Sequence, residues 1–161
     1  SPDDVEKYRK ELNIKEHNDS TIKEDFFEFL EERDYSLSYK MPFLLAIVKH
    51  IDSIGDAKIE EVLDDYIAFY QNRLSRGLQV DRSTCPYDEK MLKDRKAVQR
   101  NMLTNPFEKF ERKRFLYYSK DLSVISMNHA LFGQMKAEDW ERVRKQMRED
   151  LRKYYDGMGG V

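Results

Sequence analysis

The sequence predicts a mainly α fold with one two-stranded β-hairpin in its last third and flanking helices at both ends. Three observations carry this. Only 6 Gly and 4 Pro occur in 161 residues, too few for a turn-dense all-β architecture. Apolar side chains recur at helical spacing through 22–30, 43–51, 62–70 and 140–154. Between 115 and 127 the pattern switches to short runs rich in β-branched and aromatic residues.

Composition bounds the class. At 19.4 kDa the chain is the size of one domain. Charged residues reach 37%, but 12% aromatics suffice to build a core, which excludes wholesale disorder. A single Cys excludes an intramolecular disulfide framework and a cysteine-based zinc finger, and it fits a cytoplasmic setting. No apolar run approaches the ~18 residues of a membrane span, and residues 1–10 are too charged for a secretory signal, so no membrane contact is expected. The chain starts without an initiator Met and reads as a piece of a longer polypeptide.

Residues 1–35 are expected to form an acidic helical connecting segment. Positions 1–20 read as a short helix and linker, and residues 1–34 hold twelve acids against six bases. Thr21 and Glu24 have capping-box spacing, followed by Ile22, Phe26, Phe29 and Leu30 on one helical face. Such a face must dock, either on this chain or on a neighbour.

Residues 36–161 are expected to form the core domain. Ser38-Tyr39-Lys40-Met41-Pro42 opens a helix with Pro in its first turn, and Phe43, Leu44, Ile47, Val48 and Ile51 form its apolar stripe. Ser53–Asp56 ends it, and Ala57-Lys58-Ile59 reads as a very short strand or extended link. Another helix, roughly Glu60–Ser75, turns Val62, Leu63, Tyr66, Ile67, Phe69 and Tyr70 inward. A loop at 77–88 precedes a helix over Met91–Leu103. Asn105-Pro106-Phe107-Glu108 restarts the chain as a short helix, with Asn as the cap, Pro in the first turn and Glu in the capping box. Phe115–Tyr118 and Val124–Met127 then make the hairpin. Asn128 caps a brief helix, a last helix covers about Ala137–Tyr155, and Gly157, Gly159 and Gly160 are expected to fray.

Helix, short extended link, helix, loop, helix and hairpin is the element order of a winged helix, a helix-turn-helix variant whose hairpin is the wing. The charge falls where such a domain would meet a polyanion. Residues 90–120 hold ten basic and three acidic residues, a balance of +7, while the rest of the chain sums to −9. The phosphate contacts expected here are Lys93, Lys96, Arg100, Lys109, Arg112, Lys113 and Lys120. Gln99 and Asn101 are the nearby amides suited to base edges.

Several blocks together also carry a resemblance. Ser38-Tyr39-Lys40-Met41-Pro42-Phe43-Leu44-Leu45-Ala46, Phe69-Tyr70-Gln71-Asn72-Arg73 with Gly77, Asn105-Pro106-Phe107, and a hairpin leading to Met127-Asn128 stand in that order. In this pattern, residues 36–155 resemble the C-terminal region of large bacterial DEAD/DEAH-type helicases of superfamily two, many of them associated with restriction or defence. The resemblance implies an accessory domain that follows ATP-driven motor domains of the same polypeptide. The motor motifs have no counterpart here, so no catalytic residue carries over.

Other chemistry finds little footing. No Gly is followed by Lys, so a phosphate-cradling loop is absent, and ATP and Mg²⁺ are expected only in the motor domains of the parent. Asp88 with Glu111-Arg112-Lys113 imitates a metal-nuclease spacing, but on a helix rather than a strand. His17, His50 and His129 are scattered, and Cys85 has no neighbouring base. The expectation is a DNA-binding accessory domain without covalent chemistry. The alternative is a protein-docking module, whose basic cluster would meet a motor domain or partner subunit.

Overall fold

A computed structural model describes residues 1–4, 18–33 and 35–161. His17 and most of the short helix and linker expected within 1–20 lie outside them. The described chain is mainly helical with a small three-stranded antiparallel sheet.

Helix α1 (Ile22–Glu31) buries Ile22, Phe26, Phe27, Phe29 and Leu30. The expected capping box is not formed, because Thr21 keeps helical backbone angles and makes no side-chain cap. Instead, the Asn18 carboxamide oxygen accepts from the N–H groups of Ser20 and Thr21 at 3.0 and 3.1 Å. The docking partner of α1 is this chain: Phe26 and Phe29 meet Phe115 at 5.3 and 5.6 Å between centroids, and Phe29 meets Phe110 at 5.0 Å. Aromatic pairs of this kind contribute ~0.5–1.5 kcal/mol beyond the area they bury.

Helix α2 (Lys40–His50) is apolar nearly all round, and its Phe43 joins the same cluster beside Phe107 and Phe110. Strand β1 (Asp56–Lys58) leads directly into helix α3 (Ile59–Ser75). Gly77 (φ +70°) closes α3 in the left-handed conformation that glycine adopts without strain, and Leu78 N–H reaches back to Arg73 O at 2.9 Å.

The helix expected over 91–103 is two helices, α4 (Glu89–Lys93) and α5 (Arg95–Met102). An aspartate caps each, and Asp94 stands at the division. Asp88 accepts from Met91 N–H at 2.8 Å, and Asp94 accepts from Ala97 N–H at 3.1 Å. A wide turn at Leu103–Phe107 follows, with Asn105 extended (φ −161°, ψ 117°), before helix α6 (Glu108–Arg112). The break falls at Asn105, whose extended backbone is that of an N-cap, and Phe107 already has helical angles (φ −55°, ψ −42°) ahead of α6.

Strands β2 (Leu116–Ser119) and β3 (Val124–Met127) form the expected hairpin, with Leu116 opposite Met127 and Ser119 opposite Val124. It is not a separate two-stranded unit. β1 adds to the other edge of β3, with Ala57 opposite Ile125, giving the strand order β1-β3-β2. Asn128 caps helix α7 (His129–Gln134) as expected, accepting from Leu131 N–H at 3.1 Å. Helix α8 (Ala137–Tyr154) buries Val143, Met147 and Leu151.

The glycine-rich end does not fray. Arg73, whose side chain is fully buried, donates to Met158 O at 2.9 Å, Gly160 O at 2.6 Å and Gln79 O at 2.8 Å. Nearby, the buried Asp81 carboxylate accepts from Ser38 N–H and Ser38 Oγ at 2.9 and 2.6 Å, and from the Tyr154 hydroxyl. These bonds fix loop 77–88 to α2 and α8, and that loop in turn holds the start of α4.

Candidate nucleic-acid interface

The inner face of α5 carries Val98 and Met102, both buried, four residues apart. That phase sends Lys96 and Arg100, also four apart, to solvent. Both are exposed, and neither has an ion-pair partner among the described residues.

Arg95, one residue earlier, is engaged with the protein itself. Its guanidinium donates to Glu60 Oε2 at 2.8 Å and to Glu60 O at 2.6 Å, and it pairs with Asp64 Oδ1 at 2.8 Å. Partial burial works against the charge, but the two carboxylates outweigh it and raise the pKa. Arg95 therefore staples the start of α5 to the first turns of α3.

The two amides face protein. Asn101 Nδ2 donates to the Tyr87 hydroxyl at 2.7 Å, and that hydroxyl lies 2.8 Å from Tyr66 Oη. Burial pushes the Tyr87 phenol up to about 12, so it stays neutral and in the network. The Asn101 amide thus has a partner within the fold. Gln99 Nε2 reaches the Tyr118 hydroxyl at 3.4 Å. Tyr118 also packs on Phe107 at 6.3 Å between centroids, so the Gln99 side of α5 abuts β2. Of the two hairpin tyrosines, Tyr118 packs inward while Tyr117 stays 43% exposed.

The remaining cations fall into different settings. Lys93 pairs with Glu89 at 3.2 Å and Arg112 with Glu108 at 3.3 Å, both exposed one-turn pairs. Pairs of that kind contribute only ~0.3–0.5 kcal/mol, so a phosphate can displace them at small cost. Lys120 sits exposed in the β2–β3 turn, two residues before Leu122, which is 73% exposed. Lys109, Arg112 and Lys113 gather instead around a cavity of about 320 Å³ shared with Asn105 and Lys40. No sequence signal pointed to this cavity, because its walls come from segments that meet only on folding.

Three ion pairs join α1 and its exit to α8 rather than to the basic stretch. Lys23 pairs with Asp139 at 3.1 Å, Arg33 with Asp150 at 3.0 Å and Glu31 with Arg142 at 3.2 Å, all running to α8.

His50 ends α2, where a cation complements the helix dipole, and its ring nitrogens lie 2.9 Å from Glu61 and 2.6 Å from Asp65. Burial raises the Cys85 thiol pKa, the reverse of what a nucleophile needs. Among the described residues, no group of three or more His, Cys, Asp and Glu side chains is placed to hold a metal ion, and no helix is long and apolar enough to cross a membrane. Comparison with protein-family models, curated proteins and solved structures finds no match for this chain.

Proposed function

We propose that this chain is a non-catalytic DNA-binding accessory domain of winged-helix type, working beside ATP-driven helicase motor domains and holding DNA through its phosphates. The carrying observation is the outward pair Lys96 and Arg100. They are unpaired among the described residues, while the adjacent Arg95 is held by two carboxylates. Charges left in solvent on a helix face are available to a polyanion, whereas a guanidinium held by two carboxylates, as Arg95 is, gives up more to reach one.

The fold part of the reading is supported by the order α2, β1, α3, then the short helices α4, α5 and α6, and the hairpin, with strands arranged β1-β3-β2. The hairpin turn carrying Lys120 follows Tyr118, which touches Gln99, so helix and turn are joined at one edge. The placement beside motor domains is supported by the helicase resemblance of residues 36–155. ATP and Mg²⁺ would serve those motor domains. With Asn101 turned inward, sequence preference is expected to be weak.

Fluorescence anisotropy of a short duplex against salt tests the proposal. Three phosphate contacts, from Lys96, Arg100 and Lys120, predict a slope of log affinity against log salt of about −3. No binding at low salt, or binding indifferent to salt, overturns it and favours the protein-docking alternative.

A further inference from the structure

The cavity beside α6 calls for an explanation of its own. Phe29, Tyr39 and Phe110, all buried, close it beneath. Lys109, Arg112 and Lys113 stand along one side. Lys40 stands on the other and is committed to the carbonyls of Phe29 and Glu32 at 2.7 and 3.4 Å, where it finishes α1. Glu32 is the acid on this rim, and Arg112 shares its charge with Glu108. Lys113 Nζ lies 5.4 Å from the Phe29 ring centroid, above the apolar floor. Lys109 is exposed and has no ion-pair partner among the described residues. A concave space with low-dielectric walls focuses the field of such a cluster.

Size narrows the ligand. At about 320 Å³ the cavity exceeds what a lone inorganic anion fills, and it sits at the lower end of the range for small organic ligands. The buried rings of Phe29, Tyr39 and Phe110 in its lining give a sugar or base an apolar surface to rest on. Three cations on one wall suit a phosphate monoester, which carries up to two charges, better than a singly charged diester. Asn105 adds an amide able both to donate and to accept.

We propose that this cavity binds one nucleoside monophosphate unit through its phosphate, held by Lys109, Arg112 and Lys113. In the DNA-binding reading, on which the choice of source rests, that unit is the phosphorylated terminus of a strand. The same chemistry is offered by a free nucleotide, so both sources enter the test.

The experiment compares short duplexes with a single-stranded overhang ending in 5′-phosphate, 3′-phosphate or hydroxyl, alongside thymidine monophosphate and thymidine, by anisotropy and calorimetry. A phosphorylated end should bind about tenfold more tightly than its hydroxyl counterpart. Lys109→Ala with Lys113→Ala should erase that difference at an unchanged melting temperature. Ser36→Trp, which adds bulk to the lining while leaving Lys109, Arg112 and Lys113 in place, should erase it as well. Thymidine monophosphate bound where thymidine is not, with the same loss in both variants, upholds the cavity with a free nucleotide as its source. If duplex binding is absent in that case, the proposed function fails and the cavity stands. Equal affinity for phosphate and hydroxyl in both formats, or a preference that survives both variants, overturns the inference while leaving duplex binding by α5 intact.

Discussion

Arg73 and the pair Lys96–Arg100 carry the same kind of charge and meet opposite fates. The Arg73 guanidinium lies 3.7 Å from the Tyr155 ring centroid, and its donors fill three backbone carbonyls of loop 77–88 and the C-terminal segment. Its burial lowers its pKa without bringing it near neutrality. Lys96 and Arg100 project from α5 into solvent. The contrast teaches that counting basic residues does not locate a binding face. Asking where each donor goes separates cations held by the fold, such as Arg73 and Arg95, from those left to solvent.

The largest effect expected from this contrast is at Arg73. Arg73→Met removes three hydrogen bonds from a charged, buried donor, each contributing ~1–3 kcal/mol, so a total loss of about 3 kcal/mol or more is expected. For a chain this long that lowers the melting temperature by about 6–12 °C, measurable by calorimetry, with duplex affinity unchanged below the transition. Asn101→Ala sharpens the same distinction. It should cost about 0.5–1.5 kcal/mol by removing one of the two partners of the Tyr87 hydroxyl, which keeps Tyr66, yet leave duplex affinity as it was, because the amide is engaged within the fold. A drop in affinity without a drop in stability would return Asn101 to the interface. The smallest change is at Arg114, whose φ of 62° follows α6 in the left-handed region while Phe115 N–H reaches Phe110 O at 2.9 Å. Arg114→Gly relieves that strain and should stabilise by up to ~1 kcal/mol in urea unfolding, with no effect on duplex binding.

Local signals were readable and non-local ones were not. The hairpin, the Asn128 cap and the long C-terminal helix follow from alternation, capping chemistry and helical period, all contained within a few residues. The pairing of Ala57 with Ile125 joins positions 68 apart, so residues 57–59 alone left strand and link equally open. The division of 89–102 was available in principle, since Asp88 and Asp94 each stand three residues before the N–H they accept. The clamp at the glycine-rich end was hidden because Arg73 looks like any helical arginine until the C-terminal segment folds across it. At the candidate interface, the sequence located the basic stretch but could not distribute it. Lys96 and Arg100 emerge outward by the phase of α5, Arg95 is taken by Glu60 and Asp64 of α3, and three others are drawn to a cavity that only the tertiary fold creates.

The most direct test pits two charge reversals of equal size against each other. One is Lys96→Glu with Arg100→Glu on α5. The other is Lys145→Glu with Arg148→Glu on the exposed face of α8. Both shift net charge equally, so any long-range effect is shared and only local contact differs. Duplex affinity at fixed salt should fall at least about tenfold in the α5 variant and only slightly in the α8 variant. Equal losses in the two, or no loss on α5, would contradict the account.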